Sequence, residues 1–132
     1  MGHAHITDFN VAVHYSERRM HSSVAGSMAY MAPQVVARKG YTWAIDWWSL
    51  GVTAYELLFH KRPFDGRSSE KMTQAILKDP LKFPDDASTK CSEAGISALR
   101  SVSSLPHYFR GQLINIIFSS LIETTTPDWD AG

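Results

Sequence analysis

The stretch Thr42-Trp43-Ala44-Ile45-Asp46-Trp47-Trp48-Ser49-Leu50-Gly51-Val52-Thr53-Ala54-Tyr55-Glu56-Leu57-Leu58-Phe59 constrains the fold more than any other part of this chain. At 3.6 residues per turn, Trp48, Gly51, Val52, Tyr55, Leu58 and Phe59 share one face, and Trp47, Leu50, Ala54 and Leu57 cover most of the other. The polar side chains Ser49, Thr53, Glu56 and His60 make a stripe between them. A helix apolar on nearly all sides must be enclosed by protein or lipid. Asp46 and Glu56 lie inside it and a bilayer span needs about 20 apolar residues, so protein is the expected enclosure. The pattern predicts a central core helix with Trp48, Tyr55 and Leu58 buried. Thr42 is the expected N-cap, and Asp46 faces the positive end of the helix dipole. A second reading of Asp46 has its carboxylate buried against backbone N–H groups of another segment, since a buried carboxylate needs donors.

Asp46-Trp47-Trp48-Ser49-Leu50-Gly51-Val52 resembles the D-x-W-S-x-G element of eukaryotic protein kinases, the central helix of their C-terminal lobe. Upstream, Ile6-Thr7-Asp8-Phe9-Asn10 is similar to the family's D-F-G, and Gly26-Ser27-Met28-Ala29-Tyr30-Met31-Ala32-Pro33-Gln34 to its G-T-x-x-Y-M-A-P-E. The three motifs stand in the family's order, with a gap the size of an activation segment between the first two. The D-F-N variant, the double Trp and Gly51 to Leu58 resemble the AGC-related "yet another novel kinase" branch of serine/threonine kinases. The implied fold is mainly α, a truncated protein-kinase-like C-terminal lobe with a short β segment at the N-terminus. The implied division is 1–101 as partial kinase domain and 102–132 as a divergent, poorly packed segment.

Composition agrees with a single globular unit: 132 residues, 44% hydrophobic and 20% charged, are enough for a core. Thirteen basic and thirteen acidic side chains cancel, which argues against a nucleic-acid patch or a polybasic membrane anchor. The single cysteine, Cys91, cannot form an internal disulfide and fits a reducing compartment. There is no signal peptide or transmembrane run, and Ile6 breaks the myristoylation pattern after Met1-Gly2, so a cytoplasmic or nuclear location is expected.

Around Asp8-Phe9-Asn10, residues His3 to Thr7 and Val11 to Val13 read as short extended segments, with Asn10 supporting a turn. His3 and His5 alternate at strand spacing, either as exposed strand residues or as two ligands lacking a third. The resemblance makes Asp8 the candidate ligand of the magnesium that bridges ATP phosphates. His14 to Ala25 has no apolar period and reads as an exposed loop where kinases carry the activation segment. Phe9, Asn10, Ser22 and Ser23 belong to that segment by resemblance. A phosphate on Ser22 or Ser23 could order the loop by pairing with Arg18 or Arg19. Gly26, Ser27, Tyr30, Ala32 and Pro33 correspond to the substrate-docking loop, Ser27 keeping the hydroxyl of the usual Thr. Gln34 replaces the family's Glu, whose Arg partner in a D-P-x-x-R stretch is also absent beyond Arg100. Gln34, Asp46, Trp48 and Gly51 are the structural candidates.

Pro63 and Asp65-Gly66 end the central helix. Ser68 caps the next, which runs to Lys78 with Met72, Ala75 and Ile76 inward, and Asp79-Pro80 stops it. Phe83 to Asp86 is a loop, and Ser92 caps a helix burying Ile96, Leu99 and Val102. The family-like pieces Pro106 to Gly111 and Asp128-Trp129-Asp130 flank an apolar run, Leu113 to Ile122, too short for a bilayer. It reads as an insertion within 111–126 or as translated non-coding sequence.

The resemblance implies a serine/threonine protein kinase that uses ATP and Mg2+ and acts on protein substrates under protein regulators. It also implies that a fragment starting just before D-F-G has no complete catalytic set. The Gly-rich loop, the ATP-binding Lys and the catalytic-loop Asp and Asn are not in this sequence. Alone, such a chain is expected to bind no nucleotide and to be inactive, and the alternative function is a non-catalytic protein-binding module.

Overall fold

The computed structural model describes residues 5–14, 16 and 20–104, with side chains as far as Ser101. Among the described residues five α-helices follow one another: α1 (Pro33–Val36), α2 (Ala44–Phe59), α3 (Ser69–Lys78), α4 (Ala87–Lys90) and α5 (Glu93–Ser104). A 3-10 turn, Met28–Tyr30, precedes α1. The mainly α expectation holds. His3, Arg18, Arg19, the Val102 side chain and residues 105–132, for which the sequence raises expectations, lie outside the described residues.

α2 is the central helix, and its start differs by one residue from the expected one. Trp43 already has helical angles, and the first turn is tightened by Ile45 N–H donating to Thr42 C=O at 3.3 Å and Asp46 N–H to Trp43 C=O at 3.1 Å. Thr42 still receives an orphan donor, since Ala44 N–H reaches its Oγ1 at 3.4 Å. At the other end His60 takes a left-handed conformation, φ 55°, and its N–H closes on Glu56 C=O at 2.8 Å.

Two apolar clusters form the core. In the first, Ala54, Tyr55, Leu58 and Phe59 of α2 pack on Ala87 and Cys91 around α4 and on Ala98 and Leu99 of α5. Tyr55 is its hub: its ring meets Phe59 edge-on at 4.7 Å and Phe83 at 5.8 Å, and its hydroxyl donates to Lys82 C=O at 2.7 Å. The second cluster joins Ala29 and Phe64 to Met72, Ala75 and Ile76 of α3, with the half-buried Trp48 stacked on Phe64 at 5.6 Å.

Two expectations for α2 are corrected. Trp48 is half-buried rather than buried, because stacking on Phe64 covers one face of an indole that sits at the edge of the second cluster. Leu57 is 61% exposed, so the helix is not enclosed on all sides. α4 and α5 cover one face and the loop before α1 another, and no described residue covers the side of Leu57 and Thr53.

α3 starts as its sequence dictates. Ser68 Oγ accepts from Lys71 N–H at 3.3 Å, and Glu70 in the first turn has its carboxyl held below the ordinary range by its own backbone N–H and the Ser68 hydroxyl. Gly66 lies so close to this first turn that a Cβ would stand 2.3 Å from Met72 N. Ser68→Ala should lower stability by about 1 kcal/mol in urea unfolding, with an unchanged m-value. α5 is capped in the same way, Gly95 N–H reaching Ser92 Oγ at 3.2 Å. The short α4 was not foreseen; four residues carry no readable period, and Asp86 with Lys90 at 2.8 Å supports it from the surface.

The short β segment is not formed between His5 and His14. A turn at Asn10 and Val11, closed by Ala12 N–H to Phe9 C=O at 3.1 Å, stands as expected. A strand needs a pairing neighbour, and among the described residues none lies alongside. An isolated antiparallel β-bridge joins His21 and Tyr41.

Candidate functional site

The loop Gly26 to Pro33 is held between α2 and α3. Gly26 takes φ +99°, which sends the chain back toward the core; Ala29 and Ala32 are then buried at 4% and 1% exposure, and Pro33 opens α1. Three contacts fix the loop. Tyr30 hydroxyl donates to Glu56 Oε2 at 2.5 Å, Ser49 hydroxyl donates to Tyr30 C=O at 2.9 Å, and Thr73 Oγ1 of α3 stands 3.8 Å from Met28 Sδ. The bond to Glu56, with the carboxylate's charge, raises the Tyr30 phenol above its ordinary pKa and keeps it the donor. Glu56 and Ser49 belong to the polar stripe of α2, so the stripe that interrupts an apolar helix is the part that receives the loop.

Glu56 was not singled out from the sequence as a site residue. The signal was there, because a polar stripe on a core helix must meet polar partners. Tyr30→Phe should free the loop, and hydrogen exchange at Ala29 to Met31 should quicken while that of α5 stays unchanged.

The other candidates are spread apart. Asp8, Phe9 and Asn10 lie on the exposed N-terminal segment, Asp8 at φ 63° and Phe9 67% exposed. Among the described residues no three His, Cys, Asp or Glu side chains stand close enough to hold a metal ion. Ser22 and Ser23 are exposed, and Ser23 is held by Tyr41. Ser27 is exposed and its hydroxyl caps nothing. Gln34, in α1, is half-buried and its amide makes no hydrogen bond with a described residue. Gly51 is buried in the middle of α2, beside a cleft lined by Trp48, Tyr55, Phe64 and Leu99. Trp48 Nε1 is buried without a partner among the described residues.

Asp46 occupies the first turn of α2, as the dipole reading expects. The other reading is not met among the described residues: the side chain is exposed and accepts no hydrogen bond from them. Partial loss of water still raises its carboxyl above the ordinary pKa. A raised folded-state pKa favours the protonated folded chain, so this group adds stability below its unfolded pKa and withdraws it as pH rises through the folded value. Asp46→Asn should therefore gain stability relative to the parent near pH 7, and the gain should vanish near pH 3 in matched thermal melts.

The protein kinase domain family matches residues 1–112. The Arabidopsis thaliana serine/threonine-protein kinase AtPK1/AtPK6 is 45% identical over 63% of this chain and 18% of its own length. Human serine/threonine-protein kinase 32B is 34% identical over 80% of this chain and 30% of its own. The Schizosaccharomyces pombe serine/threonine-protein kinase gad8 is 33% identical over 70% and 16%. This chain thus spans less than a third of the length of these relatives. No helix among the described residues is long and apolar enough to cross a membrane. With the family's motifs on the central helix and on the loop bound to it, the chain belongs to the protein kinase family, among its AGC-related serine/threonine members.

Proposed function

We propose that this chain is the substrate-docking part of a serine/threonine protein kinase's C-terminal lobe, and that phosphoryl transfer needs residues outside this sequence. One observation carries the reading: Tyr30 and Ser49 tie the loop Gly26 to Pro33 to the polar stripe of the central helix. Such a tie gives a peptide a preformed edge to lie against, and phosphoryl transfer is almost wholly a matter of positioning and electrostatics.

Protein kinases use ATP and Mg2+. The described residues do not fit that pair by themselves. Asp8 is exposed and belongs to no group of three candidate ligands among the described residues, whereas magnesium keeps octahedral geometry and relies on nucleotide phosphates for ligands. Asp8 is the residue that would contribute a carboxylate once a nucleotide is held by the missing parts. Ser22 and Ser23 would act as phosphoacceptors of the activation segment.

A second reading is a non-catalytic module that uses the loop and α3, which pack on each other, to hold a protein partner. Peptide kinetics separate the two. In a two-lobed kinase carrying this lobe, Tyr30→Phe should raise the KM for peptide roughly three- to tenfold, the equivalent of one hydrogen bond, with the KM for MgATP unchanged. A shift in the nucleotide KM alone would contradict the docking role, and no turnover at all would favour the binding module.

A further inference from the structure

The hydrogen bonds around Tyr41 treat two adjacent serines differently. His21 N–H donates to Tyr41 C=O at 3.2 Å and Tyr41 N–H to His21 C=O at 3.0 Å, an antiparallel bridge that lays the segment against the loop before α2. The His21 ring stacks on Tyr41 at 6.1 Å. One step beyond, Tyr41 hydroxyl donates to Ser23 C=O at 2.6 Å, and Ser23 Oγ lies 3.1 Å from the same hydroxyl. A phenol has one proton to give. It goes to the carbonyl, so the Ser23 hydroxyl must donate its own proton to the Tyr41 oxygen. Ser22, also exposed, makes no hydrogen bond with a described residue.

We infer that Tyr41 decides which of the two serines accepts a phosphate: it clasps Ser23 and leaves Ser22 open. The inference rests on the activation-segment reading above. In either modification the serine Oγ forms a bond to the γ-phosphorus of MgATP held by a separate serine/threonine kinase. The bond from that phosphorus to ADP breaks, and the hydroxyl proton passes to the attacking kinase's base. Ser23 can take this step only after its hydroxyl leaves Tyr41 and its backbone swings away from it, so modification is slowed by the population of the opened clasp. The clasp is poised rather than locked. His21 Nε2 is buried in it without a partner among the described residues, a polar atom that regains water when the segment lifts. Tyr41 is thus a positioning residue for a modification, acting through Ser23.

The test uses the full 132-residue chain, a purified serine/threonine kinase that acts on serines following arginine, and MgATP, with phosphate at Ser22 and Ser23 resolved by mass spectrometry over time. A synthetic peptide of residues 14–28, which lacks Tyr41, supplies the intrinsic preference of that kinase. Relative to the peptide, the chain should favour Ser22 over Ser23 roughly tenfold, the effect of two modest hydrogen bonds. Tyr41→Phe keeps the ring and the backbone bridge and removes only the hydroxyl. It should raise Ser23 modification roughly tenfold, back to the peptide's ratio, and leave Ser22 unchanged. A chain whose ratio equals the peptide's, or a ratio unmoved by Tyr41→Phe, would overturn the inference. So would a chain modified at neither serine while the peptide is modified at both. Failure of the underlying reading shows elsewhere: a two-lobed kinase indifferent to Ser22→Ala and Ser23→Ala would refute an activation segment while leaving the Tyr41 ratio as it is.

Discussion

Replacing Tyr55 with alanine should cost about 3 to 5 kcal/mol, enough to leave little folded chain at 37 °C. Tyr55 is 3% exposed on the face of α2 that meets α4 and α5, so deletion opens a cavity that Phe59 and Phe83 cannot both collapse into. The Lys82 carbonyl also loses its donor. For a domain of about 100 residues this should lower the melting temperature by at least about 12 °C. Tyr55→Phe keeps the ring and should cost only about 1 kcal/mol. Trp48→Ala, on the half-buried side of the same helix, should fall well below Tyr55→Ala. Equal losses for the two would mean that the first cluster is not the main core.

The central helix was legible because apolar residues recur through four turns, and period is a strong signal when sustained. Its limits were less so. Sequence could not say that Leu57 faces outward, since that depends on which neighbours fold against α2, and nothing local encodes it. The capped helices α3 and α5 were readable for a local reason, namely that Ser68 and Ser92 satisfy orphan donors within three residues. No paired strand forms among residues 5–14 because β-branched residues show only what a pleated sheet would accept, and a sheet also requires a partner. The loop at Gly26 to Pro33 was legible as a motif, but the bond from Tyr30 to Glu56 joins residues 26 apart in sequence. The Tyr41 clasp was invisible for a similar reason: Tyr41 precedes the helix, carries no motif, and gains its meaning only from Ser23, 18 residues away.

The second large effect concerns phosphotransfer. In the sequence there is no Gly-rich loop or lysine to hold ATP phosphates and no catalytic-loop Asp to take the substrate proton. Losing one such contact commonly costs a factor of about 100 to 1000 in rate, and several are absent together. Joined to a segment that supplies them, the lobe should turn over under the proposed reading, and Asp8→Ala should then reduce kcat by about 100- to 1000-fold, since Asp8 is the carboxylate that reading would offer to a nucleotide-bound magnesium.

The most direct measurement is therefore transfer of labelled γ-phosphate from MgATP to protein substrate by the purified 132-residue chain, beside a two-lobed kinase built to carry this lobe. The account predicts background counts for the chain alone and Asp8-dependent turnover for the two-lobed protein. Turnover by the chain alone that disappears on Asp8→Ala would contradict it, since this lobe would then assemble an active site unaided.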